Sequence, residues 1–136
     1  MITFLKAEEQ HQHSNGGGWV ANTAVVAASA YIGPDARVFG NALVSGKAQV
    51  YGDAWVYGTA QVFGNARVSG DARVSGNALV YGDALVYGNA RVYGDARVCG
   101  NAQVCDDALV SGNARVYGDA RVSGNAILVT SKGERQ

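Results

Sequence analysis

From Asp35 to Gly124 the chain repeats one six-residue pattern without interruption: polar, Ala, variable, Val, variable, Gly. All fifteen hexads carry Ala second and Val fourth. Fourteen end in Gly, with Asp106 the exception, and thirteen begin with Asn or Asp, with Lys47 and Thr59 the exceptions. Ala and Val alternate with the variable residues at period two, so they share one face of a short strand and the variable residues share the other. Gly followed by Asn or Asp supplies residues that tolerate positive φ, which predicts a turn after every strand. A weaker form of the same phase reaches back to Thr23 and Ser29 and onward from Asn125.

A strand this short cannot bury its apolar face alone. Copies must stack on one another, hydrogen-bonded in register at about 4.8 Å per layer. Ala beside Val leaves only a narrow, tightly packed interior. A helix is excluded, because it needs apolar spacings of three and four, and a Gly every six residues would cost roughly 1 kcal/mol each time. An antiparallel sandwich needs strands and loops of uneven length, which the strict period does not provide. The pattern therefore predicts an all-β parallel solenoid over residues 17–130. Residues 1–16 are expected to form an N-terminal segment or cap, with Ile2, Phe4 and Leu5 over the first coil, and residues 131–136 a charged tail.

The Val-x-Gly-Asn/Asp-Ala-x wording, from about Thr23 to Thr130, resembles the hexapeptide repeats of the trimeric left-handed β-helix superfamily, which includes bacterial acyltransferases and γ-class carbonic anhydrases. The resemblance implies a single-stranded left-handed parallel β-helix of triangular section. Three hexapeptides would make a coil, about six coils the molecule, and residues eighteen apart would lie one above another. It also implies a homo-oligomer, a trimer or dimer. The regular NARVYG and DARVSG wording, entered through Gly17, Gly18, Trp19 and Val20, is similar to repeat proteins of phages and prophages. That similarity implies a phage-encoded structural protein, or a protein that binds and inhibits a host factor.

In the eighteen-residue register one outward column reads Trp19, Arg37, Trp55, Arg73, Arg91, and the neighbouring outward positions add Phe39, Tyr57 and Tyr93. Arg37 between two tryptophans suits cation–π stacking. Trp, Tyr and Arg are enriched at binding hot spots, so these eight residues are the candidate protein-binding face. The competing reading is that like residues stacked in a column stabilise the sheet without any ligand. The corner leading into this face carries Asp35, Asp53 and Asp71, whose mutual repulsion Arg37 and Arg73 are expected to offset. Turn chemistry by itself accounts for Asp there; the functional alternative is a site for a cation or for a partner's charge.

The resemblance implies that an acyltransferase of this type would use a histidine in or near the coils, and a γ-class carbonic anhydrase three. Here no histidine follows His13, and His11 and His13 precede the repeats in a polar tract expected to be exposed and flexible. No loop insertion breaks the period to build a pocket. Cys99 and Cys105 lie around a corner from each other with no base beside them, and are expected to be exposed free thiols. The expectation is a non-enzyme without cofactor or metal. An acyltransferase with an intersubunit site and a self-polymerising scaffold are the alternatives. Eleven basic residues balance eleven acidic ones, so neither nucleic acid nor an anionic membrane is an expected partner. No apolar run approaches the roughly 20 residues of a membrane span, and Glu8 and Glu9 stand where a signal peptide would stay apolar. A cytoplasmic setting follows, or a virion-associated one for a phage structural protein.

Overall fold

A computed structural model describes residues 9–129 of the chain. Its strands are β1 (Gln10–Gln12), β2 (Trp19–Ala21) and then eighteen two-residue strands, from β3 (Val25–Val26) to β20 (Ile127–Leu128). They form three sheets, one per side of a parallel β-solenoid of about six turns. Each strand pairs in parallel with the strand eighteen residues away, as in Trp19↔Arg37, Leu43↔Gln61 and Gln49↔Arg67. The three-hexad coil expected from the resemblance is the observed register. Residues 2, 4, 5 and 131–136, to which the sequence assigned cap and tail roles, lie outside the described residues.

The interior is built as the hexad dictates. Every second-position Ala and fourth-position Val from Ala36 to Val116 is buried, forming one continuous cluster that Val20, Ala24, Ala30 and Ile32 extend toward the N-terminal end. Between layers, backbone N–H groups donate to the coil above, as in Arg37 N to Ala54 O at 3.1 Å and Asn41 N to Gly58 O at 2.8 Å.

The corners differ from the sequence expectation in one respect. The fifth-position carbonyl accepts from the second-position N–H, as in Ala78 N to Ser75 O at 3.2 Å, and the repeat Gly takes positive φ (Gly76, +62°). The following Asn or Asp does not. This is the φ sign pattern of a type II′ turn, with Gly at its first central position. Asn and Asp are therefore not spent on backbone freedom, and their side chains reach along the stack instead. Asn65, Asn77, Asn89 and Asn101 donate to Asp83, Asp95, Asp107 and Asp119 of the next layer at 3.3, 3.1, 3.2 and 3.3 Å.

Around His11 and His13, where the sequence suggests a flexible polar tract, the chain from residue 9 onward packs on the first coil. β1 pairs antiparallel with the outer edge of β2, setting His11 opposite Val20. The chain then crosses to the edge of β4 (Tyr31–Ile32), where Ile32 N donates to Asn15 O at 3.0 Å and Gly18 N to Ile32 O at 2.9 Å. His13 is 7% exposed, and its Nε2 bonds the Ala30 carbonyl at 2.8 Å. The His11 Nδ1 is 2.7 Å from the Asn22 side-chain oxygen. An open edge and a buried carbonyl both need partners, and this segment supplies them.

Candidate binding face

The largest sheet runs β1-β2-β5-β8-β11-β14-β17-β20 and carries the candidate residues. Trp19, Arg37 (in β5, Arg37–Val38), Trp55 (in β8, Trp55–Val56), Arg73 (in β11, Arg73–Val74) and Arg91 (in β14, Arg91–Val92) are successive Cα partners in one column. Their side chains point outward because Val38, Val56, Val74 and Val92, one residue on, point in.

Three aromatic rings of this face form one cluster. Phe39 and Tyr57 stack with centroids 4.8 Å apart and planes 1° from parallel. Trp55 meets both edge-on, at 5.6 Å from Phe39 and 6.2 Å from Tyr57. The Arg73 guanidinium lies over the Trp55 ring, 4.4 Å from its centroid, so Arg73 makes a cation–π contact there. Tyr93 is separated from the cluster by Ser75, which occupies the layer between it and Tyr57, and Tyr93 is 38% exposed.

A groove of about 420 Å³ runs along the boundary between this face and its corner, lined by Trp19, Pro34, Asp35, Arg37, Asp53, Trp55, Asp71 and Arg73. It brings together four of the eight candidates; Phe39, Tyr57, Arg91 and Tyr93 lie outside its wall. Sequence reasoning placed the three aspartates beside the face but missed Pro34. It also missed what sets this corner apart. Elsewhere each first-position Asp accepts from an Asn one layer away, whereas here Asp35, Asp53 and Asp71 follow one another and no side chain among the described residues bonds their carboxylates. The signal was legible: Asn and Asp alternate from hexad to hexad from Asn65 onward, and before Asn65 they do not.

The two cysteines depart from expectation. Cys99 is half-buried and Cys105 is buried, at 5% exposure. Both stand one layer above a tyrosine. Hydrogen bonding with the Cys105 sulfur, and then burial, raises the Tyr87 phenol above its ordinary range, while Arg121 pulls the other way. Cys99 raises Tyr81 in the same manner, opposed by Arg97 and Arg115. Tyr87 also reaches up to donate to Gln103 Oε1 at 3.3 Å, in the layer that holds Cys105. No group of three or more His, Cys, Asp or Glu among the described residues is arranged to hold a metal ion. Among the described residues no helix is long and apolar enough to cross a membrane.

Fold and face together define a repeat protein: a three-sided parallel β-solenoid whose largest sheet carries an aromatic and charged groove. Its coils match the family model described as YdcK beta solenoid repeat over residues 36–52, 60–76, 72–88, 84–100, 102–118 and 114–128. These stretches span more than half of the chain, and the protein belongs to that family. Arg37, Phe39, Arg73, Arg91 and Tyr93 fall within them, whereas Trp19, Trp55 and Tyr57 fall outside. No curated protein and no solved structure matches the chain.

Proposed function

We propose that the protein is a non-enzymatic binding module that engages a protein partner through the groove on its largest face, as a phage-encoded structural protein or an inhibitor of a host factor would. One observation carries this reading. On a rigid stack, Trp19, Arg37, Trp55 and Arg73 line a groove together with three aspartates that no side chain among the described residues bonds. Trp and Arg are the side chains that most often dominate binding energy, and a rigid wall loses little entropy on binding. The uninterrupted period favours binding over catalysis, since no insertion builds a substrate pocket. His13 supports the same reading, because its Nε2 is held by the Ala30 carbonyl.

The homo-trimer or dimer proposed for the superfamily type would use the other sides, where Leu43, Leu79 and Leu85 face outward.

A photo-crosslinking residue placed at Tyr57, in the protein's native cells, should trap a heterologous protein, and the Trp19→Ala/Trp55→Ala variant should abolish the adduct. Light scattering should give the same mass for intact and variant protein. An oligomer that dissociates in the variant would instead make the face an assembly surface and sink the proposal.

A further inference from the structure

The groove's dimensions restrict the conformation of what it binds. Trp19 and Trp55 are two layers apart, which is about 9.6 Å at ordinary strand spacing. An extended strand presents side chains on one side every ~6.8 Å, and two turns of α-helix span ~10.8 Å. A polyproline II helix has three residues per turn and advances ~9.3 Å, so its successive turns meet successive tryptophans.

The chemistry of the walls agrees with the spacing. Arg73 covers one face of the Trp55 ring, so a ligand on this column meets ring edge and guanidinium N–H. Polyproline II makes no internal hydrogen bonds, and its carbonyls are free to accept from such donors. The corner row beside this column, Asp35, Asp53 and Asp71, offers carboxylates at one-layer intervals that no other side chain among the described residues bonds.

Resting on the protein-binding reading, we infer that the groove seats a proline-rich segment in the polyproline II conformation, with a basic side chain of that segment directed at the Asp35–Asp53–Asp71 wall. Aromatic-lined grooves suit such segments because the ligand is already ordered before it binds. Pro34 in the groove wall adds a rigid, apolar surface at the acidic corner.

The test is calorimetric titration of the full chain with three synthetic peptides of equal length and charge: one proline-rich with a single arginine, one strand-forming and one helix-forming. The proline-rich peptide should bind saturably and the others should not. Asp53→Asn should weaken it roughly tenfold, while leaving the peptide with arginine replaced by glutamine unchanged. Arg37→Gln should weaken both proline-rich peptides. Circular dichroism matching the parent shows that each variant is folded. Preferential binding of the strand or helix peptide, lost in the same variants, overturns the conformational inference but keeps a protein-binding groove. Binding of no peptide, with the Tyr57 crosslink intact, overturns the inference alone. Loss of the crosslink as well removes the parent proposal.

Discussion

The repeat glycine carries the corner. At Gly76 an added Cβ would sit 2.8 Å from the Gly94 nitrogen, and φ is +62°, so both the close layer spacing and the turn exclude a side chain. Asp106 occupies this position with φ +59°, the one such non-glycine residue among those described. A left-handed backbone costs a non-glycine residue roughly 1–2 kcal/mol, although Asp bears it better than most. Compensation is visible: the Asp106 carboxylate accepts from Gly124 N at 2.9 Å. Asp106→Ala keeps the backbone cost and loses that bond, so it should destabilise the fold by about 1–2 kcal/mol. Asp106→Gly exchanges the two effects and should be nearly neutral. Urea midpoints of the two variants check this, and equal midpoints would show that the carboxylate contributes nothing.

At the scale of the hexad and its corner, the pairing of Asn with Asp follows from arithmetic. From Asn65 onward the first residue alternates between Asn and Asp from one hexad to the next, and a coil contains an odd number of hexads. Beyond Asp71 each corner column therefore alternates as well, and Asp83, Asp95, Asp107 and Asp119 each gain an amide donor instead of another carboxylate. Asn89→Asp would break this, placing an acid between Asp71 and Asp107 and removing the 3.2 Å bond that Asn89 gives Asp107. The variant should lose about 1 kcal/mol at low ionic strength and regain most of it in high salt, where stacked charges are screened. A loss independent of salt would mean that the hydrogen bond, not the charge, carries the ladder. The aspartates at 35, 53 and 71 already live with that repulsion, and a basic group from a partner would relieve it.

For the whole molecule, a solenoid is stabilised through nearest-neighbour layers and frays from its ends. The N-terminal end is closed by β1 and by His13 on the Ala30 carbonyl. His13→Ala leaves that buried carbonyl without its partner and should cost about 1–3 kcal/mol. The loss should be local: amides of the first coil, Trp19 to Ile32, should exchange faster while those near Val80 and Val86 keep their protection. His11→Ala, at an exposed side chain, should change little. Uniform acceleration across all coils would refute the nearest-neighbour account.

The period-two alternation inside a six-residue repeat determined strand, turn and buried set by itself, because each is a local consequence of which residues can face inward and which can bend. Resemblance added the three-hexad coil, and with it the column from Trp19 to Arg91. Four things were decided only by tertiary structure. His11 and His13 read as a loose polar tract because the edge they cover, at Trp19–Ala21 and Ile32, exists only once the coils have stacked. Cys105 read as exposed because the Tyr87 that accompanies its burial lies eighteen residues away. The Asn side chains read as turn formers because their acceptors are one layer up, beyond any local window. The groove and its Pro34 appeared last, since a concave wall needs two sides, and the corner and face that make it are set by how far each side chain reaches once both are in place.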